Sequence, residues 1–260
     1  MELEKLFRLD GQLAVVTGGS RGQGLQIAEG LGQMGARIVI TARRAGDLEQ
    51  AVAHLEGMGV SAAAVESNLA EPGAADLLVD KVLEDHGRID ILVNNAGTTW
   101  GAPAEDYPEA GWRKVMALNI DAAFFLTQAV GRRQFIPRRA GKVLNIGSIT
   151  GFGGNPPVQE MYTIAYNTSK GALHNFTRAL AAEWGRYDIN VNALCPGFFP
   201  TRMAQDTVER NLESLVGGTP LGRLGGPDDL KGAAVFLVSA AARHITGQCL
   251  AVDGGSSSVV

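Results

Sequence analysis

The chain has 260 residues, of which 45% are hydrophobic, and its 34 glycines follow no collagen-like period. This composition excludes a disordered or fibrous chain, and the length suits one α/β domain. A formal net charge of −4 argues against a nucleic-acid partner and a basic membrane-binding surface. No apolar run approaches the ~18 residues of a membrane span, and the first residues lack a signal-peptide pattern. We therefore expect no membrane partner and a cytoplasmic location.

Short apolar runs rich in β-branched residues alternate along the chain with longer helical patterns. Strands are predicted at residues 13–17, 37–41, 62–66, 89–93, 142–146, 190–194 and 249–252. Helices are predicted at residues 25–34, 47–57, 74–86, 112–133, 165–186 and 228–239. Such alternation is typical of parallel strands covered by helices on both faces. The predicted fold is one α/β domain over residues 1–260, a Rossmann-like doubly wound parallel sheet of about seven strands with its ligand crevice at their carboxyl ends.

A glycine-rich loop lies between the first predicted strand and the first predicted helix. Gly18, Gly22 and Gly24 give the spacing G-x-x-x-G-x-G, and no G-K-[ST] of a triphosphate loop follows. Glycines let the backbone approach a pyrophosphate closely, and the helix N-terminus offers free N–H groups and a positive dipole end. The loop therefore predicts nucleotide binding, with Ser20 and Arg21 beside the phosphates.

The same residues also match the G-x-S-x-G pattern of serine hydrolases. In that alternative Ser20 is the nucleophile and His174 or His244 is its base. The pattern is out of context, because a hydrolase needs an earlier strand-to-helix loop for its oxyanion hole and only one strand precedes Ser20. A non-catalytic nucleotide-binding module is the other alternative from a different class.

The end of the second predicted strand indicates which dinucleotide binds. NAD sites usually carry an acidic residue about 20 residues after the glycine loop, bonded to the ribose 2′-hydroxyl. Here Arg43 and Arg44 end the strand, and Asp47 is the first acid. Arginines are suited to a 2′-phosphate, and Arg21 is a third candidate. The sequence favours NADP(H) over NAD(H).

Catalytic candidates cluster around the predicted helix that begins near residue 165. Tyr166 and Lys170 are four residues apart and share a helix face. A nearby ammonium would lower the pKa of the phenol and make it a proton donor and acceptor. Ser148 follows a strand at its carboxyl end, where its hydroxyl can hold a substrate oxygen. Asn119 is an unusual residue for the middle of an apolar helix, either catalytic or a satisfied core amide.

Together these motifs resemble the core type of the short-chain dehydrogenase/reductase family, over about residues 9 to 255. The motifs are residues 17–24, residues 94–97 (Asn-Asn-Ala-Gly), Asn119, Ser148, Tyr166 with Lys170, and residues 196–197 (Pro-Gly). The resemblance implies that Tyr166 protonates a carbonyl oxygen as hydride arrives from the nicotinamide. It implies that Lys170 lowers the pKa of Tyr166 and bonds the ribose, that Ser148 polarises the carbonyl and that Asn119 anchors a water linking Lys170 to bulk solvent. A homotetramer with 222 symmetry is expected.

The predicted cofactor site spans many short segments of the chain. By resemblance, Pro196 and Gly197 close over the nicotinamide and Thr201 reaches its carboxamide. Asn68 stands where the family often has an aspartate near the adenine. The predicted cofactor-binding residues are Gly18, Ser20, Arg21, Gly22, Gly24, Arg43, Arg44, Asn68, Leu69, Asn95, Ala96, Gly97, Tyr166, Lys170, Pro196, Gly197 and Thr201.

Two loops, at about residues 150–163 and 197–218, are expected to shape the substrate mouth. In the second loop, five apolar residues cover either an apolar substrate or the cofactor: Phe198, Phe199, Met203, Leu212 and Leu215. The expected reaction interconverts a ketone and a secondary alcohol, as in 3-oxoacyl-thioester reductase-like members. The alternative is an NAD(P)-dependent sugar-acid dehydrogenase of the gluconate 5-dehydrogenase type. An acyl-carrier partner needs basic residues at the mouth, but Arg132, Arg133, Arg138 and Arg139 are expected on the opposite edge. Substrate, direction and stereochemistry stay open.

Cysteines and histidines are few. Cys195 and Cys249 are predicted to be buried, small apolar residues rather than a disulfide. The four histidines show no metal-ligand spacing, so no metal site is expected.

Overall fold

The computed structural model of the chain describes residues 2–155, 161–201 and 205–259. These residues form one seven-stranded, all-parallel sheet in the order β3-β2-β1-β4-β5-β6-β7. The strands are β1 (Leu13–Thr17), β2 (Arg37–Ala42), β3 (Ala62–Glu66), β4 (Ile91–Asn94), β5 (Gly141–Ile146), β6 (Ile189–Pro196) and β7 (Cys249–Val252). The predicted doubly wound fold is confirmed.

Helices connect the strands and cover both faces of the sheet. They are α1 (Leu3–Phe7), α2 (Gly22–Gln33), α3 (Ala45–Gly57), α4 (Ala74–His86), α5 (Glu109–Met116), α6 (Ala122–Val130), α7 (Ile136–Arg138), α8 (Ile164–Trp184), α9 (Gln205–Gly217) and α10 (Lys231–Val238). Among the described residues, no helix is long and apolar enough to cross a membrane.

The core has two layers, one on each face of the sheet. Helices α2, α3 and α10 pack on one face around residues such as Val16 and Ile40. Helices α4, α6 and α8 pack on the other face around residues such as Val15 and Val39. Neighbouring residues of one strand therefore enter opposite layers, which explains why the strands are apolar without alternation.

The order of the strands places the ligand crevice. After β3 the chain crosses back to β4, which pairs with β1 on the side opposite β2. The connections after β1 and β4 therefore leave in opposite directions, and a crevice opens at the carboxyl ends of these two strands.

Several predicted boundaries were wrong for local reasons. The strand predicted at 89–93 begins at Ile91, because Asp90 is held before it: its carboxylate accepts from Leu13 N at 2.9 Å. The helix predicted from 228 begins at Lys231, because the Asp229 carboxylate accepts from Gly226 N at 2.7 Å and holds a turn.

The segment predicted as a loop at 197–218 contains helix α9. Phe199 and Leu215 are buried there, whereas the side chain of Leu212 is half exposed. Phe199 packs against Gly225, where a Cβ would lie 2.3 Å from its ring. Met203 lies outside the described residues. Two of these apolar side chains therefore belong to the core.

Candidate active site

The glycine loop joins β1 to α2 with its backbone turned toward the crevice. Gly18 and Gly22 have φ of 63° and 54°, which favours glycine over other residues. A Cβ at Gly24 would lie 2.4 Å from the carbonyl oxygen of Gly18, so no larger residue fits. No side chain caps the N-terminus of α2. Its first N–H groups are therefore available to an anion, and the loop fits a pyrophosphate.

Thr17 holds a second loop, residues 94–97, against the first. Its Oγ1 accepts from the backbone N–H groups of Asn95 and Ala96, both at 2.9 Å, and donates to Val93 O at 3.2 Å. The Asn95 side chain donates back to Thr17 O at 2.8 Å. Sequence reasoning named Thr17 only as the start of the glycine motif and missed this positioning role.

A cavity of about 600 Å³ lies along these loops at the carboxyl ends of the strands. Pro196 and Gly197 do not line its described wall: Gly197 N instead donates to Val252 O at 3.0 Å. The other residues predicted for the cofactor do line it: Gly18, Ser20, Arg21, Gly22, Gly24, Arg43, Arg44, Asn68, Leu69, Asn95, Ala96, Gly97, Tyr166, Lys170 and Thr201.

One end of the cavity is basic. Asp47 contacts two of its arginines, Arg21 at 3.4 Å and Arg44 at 3.9 Å. Arg43 is exposed and has no ion pair within the described chain. Asp47 is also the only acidic residue in the described lining. Three arginines against one aspartate leave this end with a net positive charge, which suits a phosphate.

Tyr166, Ser148 and Lys170 meet at the other end of the cavity. Thr150 Oγ1 donates to Ser148 Oγ at 2.9 Å, and the Ser148 side chain lies close enough to the Tyr166 phenol to oppose the rise in its pKa. Lys170 Nζ lies 5.5 Å from the centroid of the Tyr166 ring and donates to Ile146 O at 2.6 Å. Thr150 therefore fixes the position of the Ser148 hydroxyl. Sequence reasoning missed Thr150, and its place two residues after Ser148 was the only available signal.

The protonation states correct one prediction. Burial raises the pKa of Tyr166, and the hydrogen bond from Ser148 opposes this only in part. The predicted net lowering of this pKa is wrong, because burial dominates it and Lys170 loses its own charge at a lower pH. Burial also lowers the pKa of Lys170 to about 8. Lys170 therefore loses its proton before Tyr166 does.

Asn119 lies in a π-helical segment, Ala117–Asp121, inside the long helical run from α5 to α7. Its side chain accepts from Thr98 N at 2.8 Å and donates to Thr98 O at 3.0 Å and Ser169 Oγ at 2.9 Å. The amide is thus satisfied, and it ties the loop after residue 97 to α8. π-Helical segments are frequent at functional sites. Its proposed role as a water anchor stays a prediction.

Ser20 does not form the Ser–His pair of a hydrolase. His174 Nε2 contacts Cys195 Sγ at 3.1 Å, and His244 is exposed beyond α10. Ser20 lines the cavity beside the phosphate loop. The serine-hydrolase alternative therefore has no support in the described part of the chain.

A dinucleotide-sized cavity at the crossover of a doubly wound sheet, with a tyrosine, a lysine and a serine at one end, defines a dinucleotide-dependent oxidoreductase. The family model described as Enoyl-(Acyl carrier protein) reductase matches residues 18–257. The chain belongs to the short-chain dehydrogenase/reductase family.

Relatives of known activity align over nearly the whole chain. Gluconate 5-dehydrogenase of Gluconobacter oxydans is 40% identical, with 96% of each chain covered. The rhamnolipid-biosynthesis 3-oxoacyl-[acyl-carrier-protein] reductase of Pseudomonas aeruginosa is 39% identical, covering 96% of this chain and 97% of that protein. The crystal structure of a gluconate 5-dehydrogenase from Burkholderia cenocepacia, in complex with NADP and tartrate, has a TM-score of 0.94 and 37% identity, with 100% of both chains covered.

Proposed function

We propose that this protein interconverts a ketone and a secondary alcohol by NADP(H)-dependent hydride transfer, with a sugar acid or related polyol as substrate. The observation that carries the proposal is the grouping of Tyr166, Lys170 and Ser148 at the end of the cavity opposite the arginines. The intact set argues against a non-catalytic nucleotide-binding module.

The chain's own residues supply the proton chemistry. When bound, NADP(H) supplies or accepts the hydride at the substrate carbon. In reduction, Tyr166 donates its phenolic proton to the substrate oxygen, and in oxidation it takes that proton back. Ser148 orients the substrate oxygen toward the phenol. The Lys170 ammonium stabilises the tyrosinate that reduction leaves behind.

NADP(H) is favoured over NAD(H) by the charges at the phosphate end. Arg43 and Arg44 follow β2, where an NAD site carries an acid. Arg43 has no protein partner in the described chain and is available to a 2′-phosphate. Several similar structures contain NADP, which supports the same preference.

A small polyhydroxylated substrate would meet polar and aromatic groups at the mouth. Asn155 Nδ2 donates to Thr163 Oγ1 at 2.9 Å. The exposed rings of Trp100 and Tyr162 belong to two segments joined by the bond from Ala102 N to Tyr162 O. Amides and hydroxyls bind sugar hydroxyls, and aromatic rings cover their apolar faces.

Lys114 offers a cation for a substrate carboxylate. It lines the cavity, with its Nζ 5.2 Å from the centroid of the Trp100 ring. Replacing Lys114 with methionine is expected to raise KM for a keto-acid more than for an uncharged polyol of similar size. Equal changes in KM for the two substrates would show that Lys114 does not recognise the carboxylate.

An acyl-carrier substrate is the less favoured candidate. Ion pairs hold two arginines of the basic cluster near the end of α6: Arg133 pairs with Asp76 and Asp80, and Arg138 pairs with Asp90. Asp90 precedes β4, so Arg138 lies at the amino ends of the strands, away from the cavity. This arrangement favours a structural role over docking of an acidic carrier.

The test compares substrates and variants with NADPH. Wild type should reduce 5-ketogluconate faster than an acetoacetyl thioester. Tyr166→Phe should lower kcat at least 100-fold while the Kd for NADPH changes little, because one general acid is worth about 10²–10⁴-fold. Ser20→Ala should mainly weaken cofactor binding. Full activity in Tyr166→Phe would refute the proposed chemistry.

The assembly, the location and the loops are also part of the proposal. A homotetramer is supported by the exposed Phe124 and Phe125 on α6, whose rings form an edge-to-face pair. Light scattering on wild type and on Phe125→Glu tests it, with dissociation expected in the variant.

Two free thiols support a cytoplasmic location. The segments at 150–163 and 197–218 would shape the mouth within one domain, although residues 156–160 and 202–204 lie outside the described chain.

A further inference from the structure

Two cysteines and a histidine that the sequence separates widely meet behind the active site. His174 lies on α8, one turn after Lys170, while Cys195 lies on β6 and Cys249 on β7. Their ligand atoms all lie within 4.8 Å of one another, and Cys195 Sγ is 3.1 Å from His174 Nε2. Within the described chain, no other group of three or more such side chains is this close. None of the three lines the cofactor cavity.

His174 offers a ring nitrogen to the cluster from a buried position. Its Nδ1 is buried and has no hydrogen-bond partner, while Nε2 faces the Cys195 thiol. Neutral imidazole is the common metal ligand among protein side chains.

Cys249 is the more accessible thiol of the two. Its Sγ lies 3.9 Å from the carbonyl oxygen of His174. Cys249 is also only half-buried, which corrects the prediction that both cysteines are buried. The reason is its place on β7, the edge strand of the sheet.

Strand register argues against a disulfide at this place. Cys249 is opposite Ala193, and Cys195 is opposite Ala251, so the two cysteines are offset by two residues along parallel strands. With strands about 4.8 Å apart and a rise of about 3.3 Å per residue, their Cα atoms are about 8 Å apart. A disulfide needs a separation below about 7 Å. Both thiols are free in the structure.

We propose that His174, Cys195 and Cys249 form a binding site for a thiophilic divalent cation of the Zn²⁺ class. One nitrogen and two sulfur ligands suit such an ion, whose bonds of about 2.0–2.3 Å are of the scale needed to join ligand atoms that lie within 4.8 Å of one another. The fourth position takes water. The bound ion would tie the edge strand β7 to β6 and to α8, the helix that carries Tyr166 and Lys170. Its role is structural and separate from the proposed reaction.

Cadmium is the probe, because its thiolate bonds absorb in the ultraviolet. Titrating the reduced, full-length protein with Cd²⁺ should give an absorption that saturates at one ion per chain, and Zn²⁺ should displace it. Free Zn²⁺ at about 100 times its Kd should raise Tm by about 5 °C or more, because an ion that binds only the folded state stabilises it. EDTA should reverse the shift.

Variants separate this site from surface binding. Cys249→Ser should lose the cadmium absorption and the Tm shift while keeping its basal oxidoreductase activity. His244→Ala, which removes an exposed histidine outside the cluster, should keep both signals. No saturable absorption in wild type, or the same absorption in Cys249→Ser, would overturn the proposal. A Cys195–Cys249 disulfide formed with diamide, together with no cadmium absorption, would replace the metal site with a redox pair.

Discussion

Replacing Arg43 with alanine should separate NADPH binding from NADH binding. Arg43 is exposed and has no ion pair in the described chain, so the change leaves no buried charge behind. A hydrogen bond to a charged group contributes about 1.5–3 kcal/mol. Because this contact is open to solvent, we expect the lower part of that range, about 1.5–2 kcal/mol. The Kd for NADPH should then rise about 10- to 30-fold, while the Kd for NADH changes less than about twofold.

Asp47→Asn provides the matched change in the opposite direction. Asp47 contacts Arg21 and Arg44 at 3.4 and 3.9 Å, and all three side chains are at least one-third exposed. An exposed ion pair is worth about 0.2–1 kcal/mol. Releasing the two arginines should therefore tighten NADPH binding by up to about fivefold.

The assay is fluorescence titration of each nucleotide at low and high salt, on wild type and both variants. The effect of Arg43→Ala should shrink at high salt, because exposed charges are screened. Equal losses for NADPH and NADH in Arg43→Ala would refute the assignment of this arginine to the 2′-phosphate. Tighter NADH binding than NADPH binding in wild type would refute the cofactor preference itself.

Other predictions concern pH, the glycine loop and the amino ends of the strands. The rate of ketone reduction should fall above a pH of about 8, because Lys170 there loses the charge that stabilises the tyrosinate. A pH profile of kcat without such a fall would contradict this role of Lys170. Gly24→Ala should lower the free energy of unfolding by about 1–3 kcal/mol and abolish cofactor binding, because a Cβ there would lie 2.4 Å from Gly18 O. The control is Gly57→Ala, whose Cβ would have nothing within 4 Å. Denaturation and binding assays should show neither effect in the control. Asp90→Asn should lower the free energy of unfolding by about 3 kcal/mol, because it breaks the ion pairs of Asp90 with two partly exposed arginines. Burial raises the pKa of Asp90, but hydrogen bonds from Arg88 and Arg138 outweigh burial and lower that pKa. The ion pairs of Asp90 therefore stabilise the fold above a pH of about 4, and this stabilisation is lost as the pH falls. Urea unfolding as a function of pH checks the sign.

The phosphate end of the site was predictable because its signals are local. The spacing of Gly18, Gly22 and Gly24 reflects backbone conformations and close approaches within one short loop. The arginines that end β2 follow directly from their place in the chain. The alternation of apolar runs with helical patterns predicted the parallel sheet, because strands between two layers of helices are buried on both faces.

Features that depend on packing were predicted less well. The sequence predicts a loop where helix α9 lies, because its pattern does not distinguish whether Phe199 and Leu215 cover a substrate or fill the core. The π-helical segment around Asn119 was not predicted either, because its side-chain partners come from distant parts of the chain.

The sequence by itself determined the fold, the glycine loop and the identity of the residues that carry the proposed chemistry, because these follow from local spacing and burial pattern. Only the tertiary structure decided how those residues act on one another. It buries the Tyr166 phenol, so that burial raises its pKa although Lys170 Nζ lies 5.5 Å from the centroid of its ring. It also brings His174 to Cys195 and Cys249 across three elements, since parallel strands and a crossing helix join residues that no sequence spacing relates.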